Sequence, residues 1–329
     1  MRRISLVLIP FLVLGASCRK AQQSATEPNK PPPPPPAKPK EFHDAKTVYA
    51  AVSRQYAPAT QPAREGSIDW ATGKITATGV GKASGTGPQA KLLARRAAQA
   101  LAQRNAVLIA NGVRVDAAGR IKDIKEGKIN VEGMVQGFQT RFGEFDEENK
   151  TITATIEVPF YGVSGVVRID GAALDAPAAR WEWLVKDAVD READLLIVDA
   201  RGTGFQPCLA PRLVTETGQV VFDGTSVPGG LQGRHLAVYV SADRPPGGQG
   251  APATATAESA SDSGPAGGRA FVAKDVVELR AKASTGPDHC ALVLGSEELA
   301  KLSRHADAME LLKAGRLVVI VDPVPPSSE

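Results

Sequence analysis

The sequence predicts an α+β protein with a β-α-β-β first domain, in which a long helix packs on an antiparallel sheet, and a second small α/β domain. Three patterns lead to this fold class. Residues Gln89–Ala110 contain no Gly or Pro and are rich in Ala, Leu, Arg and Gln, as expected for a long helix. Residues Thr151–Val158 alternate between apolar and polar side chains, which is typical of a strand with one buried face. A strand-helix-strand order near the C-terminus indicates α/β packing.

Composition limits the functional classes that fit the chain. At roughly 150 residues per domain, the 329 residues suit about two domains. The whole chain carries a net charge of +3, but residues 41–329 carry about −3, which argues against a nucleic-acid-binding body. Three Cys and four His exclude a Cys-rich zinc fold or a disulfide scaffold. No motif predicts a metal, a cofactor or a catalytic residue.

Residues 1–18 are predicted to be a lipoprotein signal peptide. Two arginines precede the apolar run Ile4–Leu14, which is shorter than the ~20 apolar residues that cross a bilayer. Small residues then lead to Cys18, an arrangement that resembles the bacterial lipobox, whose Cys receives a diacylglycerol thioether. Gly15 departs from that pattern, in which Leu is usual at this position. An ordinary secretory signal with an incidental Cys is the alternative.

Lipidation would join the protein to a membrane through N-terminal acyl chains such as palmitate. Three chains on Cys18 would anchor it stably, whereas one chain alone binds only marginally. Arg19 follows the Cys, where Asp would retain a lipoprotein in the inner membrane. We therefore expect anchoring in the bacterial outer membrane with the body in the periplasm, and surface exposure stays open.

A Pro-rich tether is predicted over residues 19–44. It contains Pro31–Pro36, and consecutive prolines hold a semi-rigid polyproline II spacer that could extend up to ~80 Å. A docking site for an aromatic-lined groove is the alternative. Residues 45–65 are predicted to hold a connector and one short helix, marked by Val48, Val52 and Tyr56.

The first domain is predicted over residues 66–165. A hairpin is indicated where Ile68–Trp70 and Ile75–Thr78 flank a polar turn with Gly. The long helix follows, and Asn111–Gly112 is expected to end it in a left-handed conformation. The stripe that we expect the helix to bury against the sheet consists of Leu93, Ala97, Leu101 and Leu108.

Two further strands are predicted after the helix. Ile129–Phe145 alternates in hydrophobicity, Asp146–Lys150 is a polar turn, and Thr151–Val158 alternates again. The side chains expected to point inward in the last strand are those of Ile152, Ala154, Ile156 and Val158. Such a sheet has edges that must be paired, covered or blunted, so we expect residues 60–165 to self-associate.

The glycine-rich segment between the hairpin and the helix, residues 78–87, fits neither common phosphate-binding motif. A phosphate loop would need Gly at Thr76 and Ser or Thr at Ala83, and a dinucleotide motif would need Gly at Ser84. The segment is interpreted as a strand end and helix lead-in. Anion binding at the N-terminus of the helix stays open.

The order of these pieces behind a lipobox resembles the LPP-twenty family, which comprises small bacterial membrane-associated lipoproteins; the flagellar outer-membrane proteins FlgP and FlgT carry related domains. The resemblance covers about 100 of the 329 residues. The segments that carry it are Ile68–Trp70, Ile75–Gly81, Ala94–Ala98, Arg104–Asn105, Asn111–Val113, Val131–Gly133 and Val158–Gly162. It implies an α+β assembly module and no catalytic residues.

The second domain is predicted over residues 180–323, with a low-complexity insertion at 244–268. Its expected elements are a helix from Trp181, strands Leu195–Val198 and His235–Ser241, a hairpin Val214–Phe222, a short strand Phe271–Ala273, a strand Ala291–Leu294, a helix Glu297–Ala314 capped by Gly315, and a strand Leu317–Val321. The strand segments around Leu196–Gly202 and Val318–Asp322 look like a C-terminal region of some LPP-twenty-type proteins.

Polar residues in the second domain offer a ligand site or a structural pair. Asp199 and Arg201 follow a buried strand, where α/β ligands often bind, but they could equally pair with each other or cap backbone groups. His43 and His305 are expected to be solvated. No metal-ligand spacing and no nucleophile-elbow motif occurs.

With Cys18 used as the anchor, Cys208 and Cys290 remain, and an even pair in an oxidising compartment tends to bond. We therefore expect a disulfide between them; two separate buried thiols are the alternative.

Three functions compete at this point. The first is a non-enzymatic, membrane-anchored lipoprotein of the cell envelope that acts as an assembly or structural module. It would associate with itself or with envelope proteins, and its role would be flagellum-associated or general to the envelope. The second is a periplasmic ligand-binding lipoprotein that uses a cleft between its two domains. The third is a hydrolase. No nucleic acid and no cofactor is expected in the leading interpretation.

Overall fold

The computed structural model describes residues 39–116, 121, 138–161, 165, 168–169, 192–227, 231–242 and 271–325. By contacts the chain divides into residues 1–36 and 37–329, and every described residue belongs to the second unit. The predictions for the signal peptide, most of the tether, most of Ile129–Phe145, the helix from Trp181 and the 244–268 insertion lie outside the described residues.

The N-terminal part begins with the short helix expected in the connector, α1 (Ala45–Val52). Asp44 caps it, because its Oδ1 accepts a hydrogen bond of 2.7 Å from the Thr47 backbone N–H. Val48 and Val52 are buried one turn apart, as the sequence predicted.

In the described part of the chain, the first sheet has five antiparallel strands in the order β2-β3-β4-β6-β5. Their bounds are Thr60–Ala63 for β2, Gly66–Asp69 for β3, Lys74–Lys82 for β4, Thr140–Phe142 for β5 and Thr151–Pro159 for β6. The β3–β4 hairpin is confirmed, with Ile68 opposite Ile75 and Gly73 at φ 66° in the turn. The inward side of β6 is confirmed as well, since Ile152, Ala154, Ile156 and Val158 are buried.

The long helix is confirmed as α2 (Pro88–Asn111), but the stripe predicted to face the sheet is wrong. Leu93, Ala97, Leu101 and Leu108 are all exposed. The buried side of the helix is instead a stripe of alanines: Ala94, Ala98, Ala102, Ala106 and Ala110. The helix therefore packs its smallest side chains against the sheet and presents its leucines outward.

The glycines of β4 explain this choice. A Cβ atom at Gly79 would lie 2.4 Å from the Ala98 carbonyl oxygen, and one at Gly81 would lie 1.9 Å from the Ala94 carbonyl oxygen. The backbones of helix and strand thus meet at a distance that neither a leucine nor a strand side chain permits. The Asn105 side chain fixes the contact by donating a hydrogen bond of 2.7 Å to the Thr78 carbonyl.

The end of α2 differs from the prediction. Gly112 has φ −79°, so it stays in the right-handed region, and its N–H donates to the Ile109 and Leu108 carbonyls. The left-handed cap that Asn-Gly predicts is therefore not used.

The second sheet, as far as the structure describes it, has eight strands in the order β1-β12-β15-β8-β13-β14-β9-β10. The bounds are Ala57–Pro58 for β1, Leu195–Asp199 for β8, Arg212–Thr215 for β9, Val220–Asp223 for β10, Val238–Ser241 for β12, Val276–Thr285 for β13, Ala291–Leu294 for β14 and Leu317–Val321 for β15. Strands β12, β15, β8 and β13 run parallel to one another, which accounts for the continuous apolar sequences of β8 and β15. A separate antiparallel pair joins β7 (Arg168–Ile169) to β11 (Leu231–Gln232).

Two elements of the second sheet region differ from the prediction. The strand expected at Phe271–Ala273 lies instead at β13, and the helix expected over Glu297–Ala314 is two helices, α3 (Ser296–Ser303) and α4 (Ala308–Lys313). Between these helices Asp307 is buried, and its carboxylate accepts a hydrogen bond of 2.9 Å from the distant Ala193 N–H. Gly315, at φ 69°, confirms the predicted cap after α4.

The two sheets share buried side chains around Trp70. Its indole N–H donates a hydrogen bond of 3.1 Å to the Gln61 side chain, and its ring packs edge-on to Tyr239 at 5.8 Å between centroids. The backbone carbonyl of Trp70 also accepts from the Tyr239 N–H at 3.4 Å. Helix α2, by contrast, forms an outer layer on the first sheet.

Candidate functional site

The first candidate site is the outward side of α2, which we call the outer face. It consists of Leu93, Arg96, Ala97, Ala100, Leu101, Arg104 and Leu108, all of them exposed. Leu93 is 54% exposed, Leu101 38% and Leu108 44%, values that are high for leucines on a folded surface helix. The outer face therefore combines apolar side chains with cations.

The charge of α2 is strongly one-sided. The helix contains Lys91, Arg95, Arg96 and Arg104 and no Asp or Glu. Arg95 lies over the Phe142 ring at 4.0 Å, and Lys91 pairs with Glu147. Within the described residues, Arg96 and Arg104 form no ion pair, so their charges are directed to solvent.

A groove of about 410 Å³ runs along one side of the outer face. Leu101 and Leu108 form its apolar wall together with Val80, which is 50% exposed. Arg64 and Arg104 border it as cations, and its other lining residues are Glu65, Gly79, Asn105 and Ile109. The sequence does not predict this site, because the leucine stripe of α2 is predicted to be buried against the sheet. The stripe itself is the signal that could have identified it.

The second candidate site is a charged crevice at the carboxyl ends of the parallel strands. Here β13 changes partner: it pairs with β8 up to Arg280 and with β14 from Ala281 onward. The sheet forks at this point, and α3 covers the fork, with the Glu298 carboxylate accepting a hydrogen bond of 3.1 Å from the Arg280 N–H. Such forks in α/β sheets offer space for ligands.

The predicted residues Asp199 and Arg201 lie at this fork and form an ion pair with each other. The Arg201 guanidinium donates to both carboxylate oxygens of Asp199, at 2.8 and 2.6 Å. The hydrogen bonds from Arg201 lower the pKa of Asp199. The next turn is held by Asp322, whose carboxylate accepts from the Gly202 N–H at 2.8 Å. In this arrangement the Asp199 carboxylate and the Arg201 guanidinium are hydrogen-bonded to each other.

Other charges around the fork are also largely matched. Lys282 lies 2.6 Å from Glu216, and Lys301 lies 2.8 Å from Glu298. The crevice beside Tyr56, about 290 Å³, has an apolar floor of Ile197, Leu279 and Ile320. Its chemistry suits a small ligand that carries both charges, because its lining contains three cations and three carboxylates: Arg201, Arg280, Lys301, Asp199, Glu278 and Glu298.

The histidines do not assemble a catalytic group within the described residues. His235 is buried and packs against the Phe42 ring in a tilted arrangement, and burial lowers its pKa to about 4, so it is neutral near pH 7. The prediction that His43 and His305 are solvated is wrong. His43 is half-buried and accepts from the Arg316 guanidinium at 3.1 Å, and His305 Nδ1 is buried. Both lie where the end of the predicted tether and the α3–α4 turn pack on the body.

The two cysteines are buried neighbours. The Cys208 thiol lies 3.8 Å from the Cys290 carbonyl oxygen, and both cysteines are thiols in the structure. Burial raises the pKa of Cys208, and the hydrogen bond and charge interaction with Cys290 raise it further. The two residues are brought together as the sequence argument required, and the disulfide stays a prediction. Cys18 lies outside the described residues.

No group of His, Cys, Asp or Glu in the described part of the chain is arranged to hold a metal ion. Among the helices described, none is both long enough and apolar enough to cross a bilayer.

A comparison with protein families places part of the chain. Residues 195–323 match the family model of the second domain of Treponema pallidum Tp0624. This range begins with β8 and ends just after β15, so it covers the region of the parallel strands and the fork. A comparison with curated proteins gives no significant match.

Proposed function

We propose that this protein is a non-enzymatic, lipid-anchored component of the bacterial cell envelope, and that its folded body is a docking module. The observation that carries the proposal is the outer face of α2. Its leucines are exposed although a stripe of alanines in the same helix is buried, so the helix has two packing sides and the fold uses one. The second side is available to a binding partner.

The sequence supports the envelope part of this proposal. The apolar run before Cys18 and the Pro-rich tether would join the body to the membrane that holds the acyl chains, with a reach of up to ~80 Å. The resemblance to LPP-twenty lipoproteins, and through them to FlgP and FlgT, favours an outer-membrane role that is flagellar or general. The match of residues 195–323 to a bacterial family agrees with a bacterial origin of the second domain.

Cell fractionation tests the anchor. Cys18→Ala should move the protein from the membrane pellet to the soluble periplasm after a high-salt wash, which removes proteins held by charge alone. Cys208→Ala is the matched control, because it removes a Cys that is not predicted to carry lipid. A Cys18→Ala protein that stays in the washed pellet like the parent would contradict lipid anchoring.

A second candidate function is ligand binding, which the crevice at the sheet fork favours. Its mixed charges and its apolar floor fit a zwitterionic small molecule better than a macromolecule. A screen of amino acids and short peptides by thermal shift tests this function, because a ligand that binds the folded state raises Tm. A shift that Arg280→Gln abolishes would support it, and no shift at saturating concentrations would contradict it.

A further inference from the structure

We infer that the outer face of α2 docks onto an anionic lipid surface, so that the first sheet and its helix lie down on the membrane. The inference rests on the proposed function, in which this face is the docking surface, and it names the partner. The reasons are the charge of the helix, its place in the fold and the way in which leucines and arginines alternate on it.

Charge selects the partner. Helix α2 carries four basic residues and no acidic one, although residues 41–329 together carry about −3. Beside the groove, Arg64 adds a further cation and Glu65 adds a carboxylate, so the excess of positive charge comes from the helix. A second copy of α2 packed on the first would bring Arg96 and Arg104 against like charges, which disfavours a symmetric dimer through this face. An anionic surface is complementary to it.

The position of the helix fits a flat partner. Because α2 lies on the outer side of the first sheet and has 24 residues, the outer face extends over about 36 Å at ~1.5 Å per residue. Leu93 lies near the start of the helix and Leu108 near its end, so apolar contacts are spread over the whole length. Insertion of several leucines into the headgroup region would add to the attraction of the charges.

The mixture of side chains also fits lipid better than protein. Arg104 lies between Leu101 and Leu108, in the middle of the apolar stripe, whereas the centres of protein interfaces are depleted of charge. At a membrane surface, an arginine can lay its methylene stem beside the leucines and extend its guanidinium to a lipid phosphate. Arg96 can do the same one turn after Leu93.

Vesicle flotation tests the inference. The chain from Arg19 to Glu329, made without acyl chains, contains the whole compact unit of residues 37–329. It should float with vesicles of phosphatidylglycerol and phosphatidylethanolamine, bind phosphatidylcholine vesicles at least about tenfold more weakly, and dissociate as salt is raised. Absence of binding to the phosphatidylglycerol vesicles would overturn the inference.

Variants locate the contact. Arg96→Gln with Arg104→Gln should weaken binding about 25-fold, because each cation near an anionic surface contributes about a fivefold factor. The matched control, Lys46→Gln with Arg304→Gln, removes two exposed cations from elsewhere on the body and should change binding by less than about twofold. An equal loss in the control would show a general charge effect and overturn the inference.

A leucine pair tests the apolar part. Leu101→Ala with Leu108→Ala should weaken binding about tenfold while leaving Tm nearly unchanged, since both side chains are exposed. Val272→Ala with Val276→Ala is the control. If the leucine pair leaves flotation unchanged but dissolves an oligomer in sedimentation velocity, the face binds a second copy and the inference is wrong. Lipid anchoring at Cys18 is tested separately by fractionation, so either proposal can fail without the other.

Discussion

Replacement of Gly81 by Ala should break the contact between α2 and the first sheet. The added Cβ atom would lie 1.9 Å from the Ala94 carbonyl oxygen and 2.7 Å from the Ala98 backbone nitrogen. Ordinary carbon contacts need about 3.5 Å, so the helix must retreat by more than about 1 Å. These are backbone atoms, and no side-chain rotation can relieve the clash.

The expected loss of stability follows from the contacts that α2 loses when it moves away from the sheet. A gap of about 1 Å forfeits up to half of the dispersion energy of each buried contact, and the alanines of the buried stripe all line this interface. Overpacking typically costs about 1–3 kcal/mol, and we expect Gly81→Ala to lie at or above the upper end, about 3 kcal/mol. For a body of this size that corresponds to a fall in Tm of roughly 6 °C or more.

Urea denaturation monitored by tryptophan fluorescence measures this change, since Trp70 is buried between the sheets. Gly85→Ala is the control, because its Cβ would meet only the Ala90 Cβ at 3.7 Å, an ordinary contact. It should stay within about 0.5 kcal/mol of the parent. A Gly81→Ala protein as stable as Gly85→Ala would refute the close helix–strand packing and with it the assignment of the outer face.

Three further predictions concern titration, redox state and the polar pair. Burial lowers the pKa of His235 to about 4, so as pH falls the unfolded chain binds the imidazole proton before the folded chain does. The folded state is therefore fully stabilised above pH 6.5, and between pH 6.5 and pH 4 its free energy of unfolding should fall by about 3 kcal/mol. Urea titrations at several pH values measure this, and the loss should be smaller in His235→Asn. Mass mapping without reductant should find Cys208 bonded to Cys290 in protein taken from an oxidising compartment, and two alkylatable thiols would contradict the bond. Asp199→Asn should cost about 1 kcal/mol or less in thermal denaturation, because its partner Arg201 is half exposed; a larger loss would show that the pair holds the fork together.

Local signals in the sequence predict much of the fold. The β3–β4 hairpin depends on alternation and on Gly73 in the turn, and the cap at Gly315 depends on a positive φ. The buried strands β8 and β15 follow from continuous apolar runs. Each of these features is determined by residues adjacent in the chain, so each is accessible to sequence reasoning.

Features that depend on a distant partner are not predicted. Hydrophobicity favours the leucine stripe of α2 as the buried side, but Gly79 and Gly81 on β4 leave space only for alanines. At the break between α3 and α4, Asp307 contacts Ala193 and Lys40, which are remote in sequence. The second candidate site needs the fork in β13, which arises from strand pairing that no local pattern reveals.

The same limits apply to the candidate sites. Asp199 and Arg201 were found because they end a buried strand, and the structure joins them to each other rather than leaving them free for a ligand. The outer face was missed because its leucines were assigned to the core. Knowledge of the glycines opposite the helix would have been needed to reverse that assignment.

Thiol labelling at position 101 tests the central claim, that the outer face of α2 is exposed in the isolated protein and covered at the membrane. Leu101→Cys should react with a maleimide quickly in purified protein, while the native Cys208 and Cys290 stay protected by burial. In native membranes the same thiol should be protected, and a high-salt wash should restore its reactivity. Slow labelling in the purified protein would show that the leucines belong to the core, and fast labelling in unwashed membranes would show that nothing docks on the face.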